Sequence, residues 1–437
     1  GFEVGYHPDC VAFSDDGAYV VTADEGEWSA TGTQTPGSVS VIAIGAATTK
    51  AGLSSLSQSA AFTCDFSAGN LGEFVSIANL RVSDPAGEGL PNGLEPEYVS
   101  STGGKVYASL QEASAIAVLD IASRKFTDII RMPAVDQTID ASDKDGGIHI
   151  DDSVVRCLPM PDTIKAFTSS GRVYIVTANE GDFRPDDGDK ARVKELGTKT
   201  YPALDPAYKA SLDALYGGNA IADSALGRLN VSTIDGLNGL GQIALLNLPG
   251  TRSFSIYDAA AFTRVWDSGS AFETLTAELD PSGYQDGRSD DKGPEPEGIT
   301  VFEFHGRRYA AIVMERTYAL FVYDITNPEA PFFSAYTRAA TGEEPESVLF
   351  VSADDSPDGK AKLVVSYEAT CTVNVFDIAA DWAGCPRAIG DGPADTGSWM
   401  GTVWLSGNWV YAYGTASWWY MPEGWVDDSG AWAYLAK

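Results

Sequence analysis

The chain has 437 residues, 44% of them hydrophobic, with 45 Gly, 22 Pro and a net charge of −32 from 61 acidic and 29 basic side chains. Such a field repels phosphate backbones and anionic membrane surfaces, which argues against nucleic acid as a partner and suits divalent cations. No apolar run approaches the roughly 20 residues that cross a bilayer as a helix, and Gly1 reads as the processed start of a secreted mature chain.

Taken in chain order, five segments share one template. The first begins His7-Pro8-Asp9-Cys10-Val11 and passes through Tyr19-Val20-Val21 to Asp24-Glu25-Gly26. The second begins Glu95-Pro96-Glu97-Tyr98-Val99 and reaches Gln111-Glu112. The third begins Met160-Pro161-Asp162-Thr163-Ile164 and reaches Asn179-Glu180-Gly181. The fourth runs from Glu295-Pro296-Glu297-Gly298-Ile299 to Glu315-Arg316, and the fifth from Glu344-Pro345-Glu346-Ser347-Val348 to Tyr367-Glu368. In four of them a third apolar strand follows, over 38–44, 115–121, 320–325 and 372–378. Gly17, Gly104, Gly171, Gly306 and Gly359 supply the hairpin turns. Each unit reads as Pro-acid, strand, turn, strand, Glu, strand.

A recurring set of three or four antiparallel strands predicts an all-β fold, a β-propeller of six or seven blades with seven preferred. A sixth blade is expected near Arg252–Asp258, and the stretch from Phe62 to Val82 is a candidate for another. The largest insertion runs from Gly181 to Gly250, and long loops of this kind carry function. The propeller is expected over residues 1–385. Residues 386–437 differ: eight of the ten Trp fall between Trp382 and Trp432, which predicts a small Trp-rich β-module. Its aromatics either build a compact core or offer a surface to glycans or to a second copy of the chain.

The five cysteines, Cys10, Cys64, Cys157, Cys371 and Cys385, form no CxxC pair. Cys371 with Cys385 is the expected disulfide, against ordinary buried thiols throughout. Asn230-Val231-Ser232 is a glycosylation sequon.

The repeated acids carry the chemistry. In an up-and-down blade the Pro-acid position and the Glu after the second strand lie on one rim. The expected pairs are Asp9 with Glu25, Glu97 with Glu112, Asp162 with Glu180, Glu297 with Glu315, and Glu346 with Glu368. Two carboxylates about 5 Å apart repel by roughly 3 kcal/mol at an effective dielectric near 20. A ring of them needs bound cations, raised pKa values, or partners such as Arg184 and Arg316. Oxygen-only donors favour Ca²⁺, with Mg²⁺ or Mn²⁺ as alternatives. The three His, at 7, 149 and 305, disfavour a His-rich zinc or copper site. A second candidate Ca²⁺ site is the turn Asp140-Ala141-Ser142-Asp143-Lys144-Asp145-Gly146-Gly147, with Asp140, Asp143 and Asp145 as ligands; Asp186-Asp187-Gly188-Asp189 is a third acidic run. No Gly-x-Ser-x-Gly elbow or P-loop is present.

Six motifs occur in order: Asp140 to Gly147, Met160 to Ile164, Thr177 to Asp182, Ala191 to Leu196, Arg252 to Tyr257 and Pro296 to Ile299. Together they resemble the choice-of-anchor I family, whose animal members include mesenchyme-specific cell surface glycoproteins. The resemblance covers roughly residues 5 to 380 and implies an extracellular propeller delivered with varied surface anchors. Some members of the family carry an alkaline-phosphatase-like label, which implies a metal-dependent phosphoesterase. Pro296-Glu297-Gly298-Ile299 with Glu315 is also similar to phytase-like propellers, in which calcium at the mouth binds phosphate, although no basic phosphate clamp is evident. Three functions are therefore expected in competition: a cation-binding surface protein with a structural, adhesion or assembly role, a Ca²⁺-dependent phosphoesterase, and a glycan-binding module.

Overall fold

The computed structural model describes residues 1–26, 35–45, 47, 49–78, 80–82, 93–184, 188–304, 306–378, 392–395, 402–406, 409–421, 426–427, 430–431 and 434–435, with backbone alone for 151–154, 392–395 and from 426 onward. The chain divides into two compact units, Gly1–Glu297 and Gly298–Lys437.

In the first unit, β1 (Pro8–Phe13), β2 (Tyr19–Asp24), β3 (Ser38–Ala43) and β4 (Ala61–Asp65) form an antiparallel sheet in chain order. β5 (Pro96–Thr102), β6 (Lys105–Leu110), β7 (Ala115–Asp120) and β8 (Lys125–Arg131) repeat it. β9 (Val135–Asp140) and β10 (Ile150–Leu158) then pair with each other. The third repeat opens with β11 (Ile164–Ser169) and β12 (Arg172–Asn179). The chain next departs through the long insertion, which holds β13 (Lys190–Arg192), a helix over Pro206–Leu215, β14 (Asn230–Ser232) and β15 (Asn247–Pro249). It returns as β16 (Ser253–Asp258), which pairs with β12, and β17 (Thr263–Asp267) completes four strands.

Two expectations are revised here. The segment near Arg252–Asp258 is the missing third strand of the third repeat rather than a further blade. Likewise Phe62 to Asp65 lies in the fourth strand of the first sheet. The insertion leaves and re-enters at one point. Gly181 and Gly250 both have left-handed φ, +83° and +70°, and a Cβ on Gly181 would lie 1.9 Å from the Gly250 amide nitrogen. Only glycine fits two backbones at that distance.

The sheets exist because their middle strands are continuous apolar runs such as Ala-Ile-Ala-Val-Leu in β7, buried on both faces. A lone sheet of this composition would expose both faces, so neighbours stack. Val21, Val41, Phe66, Val99, Val106, Leu119 and Phe126 join the first and second sheets in one core. Tyr107, Val118, Met132, Ile164, Ile175 and Tyr257 join the second and third. The first strands stand side by side, β5 between β1 and β11, with a parallel bridge from Ser14 to Ser101. The insertion and β9–β10 share their own core, which includes Ile139, Cys157, Leu212, Leu229 and Ile243.

In the second unit, β18 (Pro296–Phe304, starting at the unit boundary), β19 (Arg307–Met314), β20 (Ala319–Asp324) and β21 (Phe332–Arg338) form a four-stranded sheet. β22 (Pro345–Val351), β23 (Lys362–Tyr367) and β24 (Thr372–Asp377) form a three-stranded one. Tyr309, Val313, Leu320, Val348, Leu363 and Val365 pack between them.

The Trp-rich tail contributes β25 (Gly392–Asp395), β26 (Thr402–Ser406), β27 (Trp409–Ala412) and β28 (Ser417–Tyr420) to one antiparallel sheet. One face of this sheet buries Val403, Leu405, Val410 and Ala412. On the other, Trp404, Tyr411 and Trp418 are direct cross-strand neighbours, with both Trp exposed. The expected boundary near residue 386 lies outside the described residues, as does Cys385. Cys371 is exposed with a free thiol, while Cys64 and Cys157 are buried free thiols.

Candidate metal centres

Each repeat opens on a sheet-edge strand, where a Pro, lacking an N–H, interrupts no ladder. The residue before that Pro is left-handed in four repeats: His7 at φ 52°, Met160 at 44°, Glu295 at 55° and Glu344 at 57°. Such a conformation in a non-glycine residue costs of order 1–3 kcal/mol and persists only where the surroundings enforce it. In the first, second and fifth repeats the acid after the Pro falls in a β-bulge. Asp9 is unpaired between the Pro8–Asp24 and Cys10–Ala23 partners. Glu346 is unpaired between Pro345–Tyr367 and Ser347–Ser366, and Glu97 lies in the shift between Pro96 and Val99. A bulge re-aims its side chain away from the ladder.

In the first unit these acids converge. Glu97 is raised well above the usual carboxyl range, first by burial and then by the charges of Glu112, Glu25, Asp162 and Asp9. Glu112 is raised by burial and by Glu95. Burial and the Glu25 charge push Glu95 up to about 7, with Arg184 opposing. Asp162, Glu180 and Glu297 are all buried, and one oxygen from each lies within 4.8 Å of the others. Lys292 reaches one of the three, Glu180. It pairs with Glu180, with Glu295 at 3.2 Å and with Asp182 at 3.7 Å. Burial pulls the Lys292 ammonium down, but these carboxylates outweigh it and hold it charged. Gln111 Nε2 donates to the second Glu180 oxygen at 2.8 Å. Three close carboxylates offer oxygen donors of the kind a hard divalent ion takes.

The remaining expected positions differ. Asp9 is exposed, and Glu25 pairs with His7 at 3.5 Å. In the second unit Arg316 binds Glu315 at 2.9 Å and Glu344 at 2.7 Å, Glu346 is half-buried and Glu368 is exposed. In the Asp140 turn, Asp140 and Asp145 meet Asp286 within 4.8 Å. Asp143 instead binds Arg228 at 2.6 Å and Lys144, which hold its carboxyl below the usual range against the effect of burial. Asp189 is buried against Arg81 at 2.9 Å, while Asp186 and Asp187 lie outside the described residues. His149 is exposed and His305 lies outside the described residues. Asn230 is buried, and its side-chain amide donates to Asp291 at 3.0 Å. Sequence reasoning missed Glu95, Glu295, Lys292 and Asp286. An acid before Pro recurs at 95, 295 and 344, so two of these had a readable signal.

The first unit is thus an all-β array of repeated Pro-acid sheets around buried carboxylates. The chain belongs to the choice-of-anchor I domain family, whose model matches residues 1–328. It is 31% identical over 187 residues to Gigasin-3a of Magallana gigas, covering 36% of this chain and 66% of that protein. It is 26% identical over 223 residues to a mesenchyme-specific cell surface glycoprotein of Strongylocentrotus purpuratus, covering 43% of this chain and 28% of the relative. The chain therefore spans less than two thirds of either relative. Among solved structures it is similar to a putative 6-phosphogluconolactonase of Bacteroides fragilis, at 11% identity and a TM-score of 0.34, over 85% of this chain and 80% of that one. That likeness is too slight to bear on fold or activity.

Proposed function

We propose that this chain is an extracellular β-propeller whose strand-start carboxylates bind divalent cations, Ca²⁺ first, and whose role is structural, in adhesion or assembly at a surface. The observation that carries the reading is the gathering of half-buried Glu97 and Glu112 with buried Asp162, Glu180 and Glu297 in one unit, where Lys292 pairs with Glu180. Family membership and the cell-surface name of one relative support the location. The side-by-side edge strands of three stacked sheets support the propeller. The exposed Trp404–Tyr411–Trp418 face supports attachment through the tail.

The test is calorimetric titration of the full chain with Ca²⁺ after chelation, beside its Glu97→Gln and Glu180→Gln variants. Binding that both variants weaken supports the reading; binding indifferent to both overturns it. A second reading, a Ca²⁺-dependent phosphoesterase at the same carboxylates, is favoured by Glu95, a buried carboxyl near neutrality and so suited to proton transfer. It predicts Ca²⁺-dependent hydrolysis of a chromogenic phosphate monoester that Glu95→Gln abolishes.

A further inference from the structure

A different trio of acids is carried by other elements. Asp140 ends β9, Asp145 sits in the turn that follows, and Asp286 opens a short 3₁₀ turn over Asp286–Arg288. One oxygen from each lies within 4.8 Å of the others, about twice a Ca²⁺–oxygen distance, so one ion can touch all three. Asp140 is fully buried, and its Oδ2 accepts from the Tyr284 hydroxyl at 3.2 Å. Asp145 Oδ1 and Asp286 Oδ1 are buried oxygens with no hydrogen-bond partner. Carboxylate oxygens left so are costly and call for a ligand.

The surrounding cations are committed elsewhere. Lys144 and Arg228 hold Asp143, and Arg192 and Arg228 hold Asp290. Arg252 holds Glu273, and Arg288 holds Glu295 and Asp291. Among the described residues, no ion pair reaches Asp140, Asp145 or Asp286.

We propose that Asp140, Asp145 and Asp286 bind one Ca²⁺ that fastens the β9–β10 turn to the segment around Asp286. The donors are all carboxylate, with no His or Cys, which selects a hard cation. The irregular frame of one turn and one distant 3₁₀ segment suits Ca²⁺, which accepts six to eight oxygens in flexible geometry, better than octahedral Mg²⁺. Backbone carbonyls and water complete the shell. The ion would close a loop of nearly 150 residues that holds the whole insertion, so it links two segments that the chain itself connects only at length.

Tyr284 makes this site readable apart from the strand-start carboxylates. The chelated full chain is titrated with Tb³⁺ under tyrosine excitation, then with Ca²⁺ in competition. Sensitised Tb³⁺ emission displaced by Ca²⁺ is expected. Asp286→Asn and Asp145→Asn, each near-isosteric and checked for native circular dichroism, should weaken it by about tenfold or more. Tyr284→Phe should retain Ca²⁺ binding while losing most of the emission. If Asp286→Asn and Asp145→Asn both titrate like the unaltered chain, the site is overturned. If Glu97→Gln abolishes all Ca²⁺ binding and Asp286→Asn none, this site falls and the strand-start reading stands; the converse pattern supports this site and removes the other.

Discussion

The same sequence grammar gives two electrostatic outcomes in the two units. In the first, Glu180 is buried and Glu97 and Glu112 are half-buried, and all three carboxyls are raised chiefly by loss of water. In the second, Glu344 precedes an identical Pro-Glu bulge, but it shares the half-exposed Arg316 with Glu315, and Glu368 faces solvent. The repeat therefore fixes where an acid stands, and the neighbours brought by the insertions fix what charge it bears. Lys292 sits between the third and fourth repeats, outside the template altogether.

The sharpest way to break this comparison is to remove each cation. Lys292→Met strands Glu180 in a buried setting, while Arg288 still holds Glu295, and should cost about 3–5 kcal/mol in urea unfolding, read from the midpoint shift at constant slope. A loss no larger than that of a surface pair would show that water reaches these carboxylates. Next comes pH. The Glu95 carboxyl titrates near 4.5 when unfolded and about 7 when folded, so the unfolded chain gives up its proton first. In chelator its contribution is whole below pH 4.5 and lost as pH rises through 7, up to about 3 kcal/mol. Thermal midpoints of the chelated chain should fall over that window, Glu95→Gln should flatten the fall, and Ca²⁺ should oppose it. Smallest is Arg316→Met, expected at about 1 kcal/mol or less because its partners are partly solvated. A cost equal to that of Lys292→Met would erase the distinction between the units.

Much of the fold was legible because each repeat marks its first strand with Pro, and Pro is tolerated at an edge. The third strands expected over 38–44 and 115–121 end within a residue of β3 and β7. What misled was chain separation: β16 pairs with β12 across more than 70 residues of insertion, so it read as a new blade. The sequence carries a second signature at the ends of the second strands. Thr22-Ala23-Asp24 and Thr177-Ala178-Asn179 end the second strands, facing Ser38-x-Ser40 and Ser253-x-Ser255. Asp24 accepts from Ser40 at 2.6 Å, and Asn179 Nδ2 donates to Ser255 at 2.8 Å. That match alone assigns Ser253–Asp258 to the third repeat. Lys292 and Asp286 had no such mark, since no periodicity places a long-range partner beside a repeat.

Gly181 and Gly250 touch at the neck of the largest excursion. Because both ends pass through a single gap between hydrogen-bonded strands, everything beyond it is topologically a side branch. Such a branch can lengthen, shrink or change its outward face over evolutionary time while the register of β12 on β16 stays as it is. A protein built this way can alter the outward face of the branch while the β12–β16 pairing at its neck is kept.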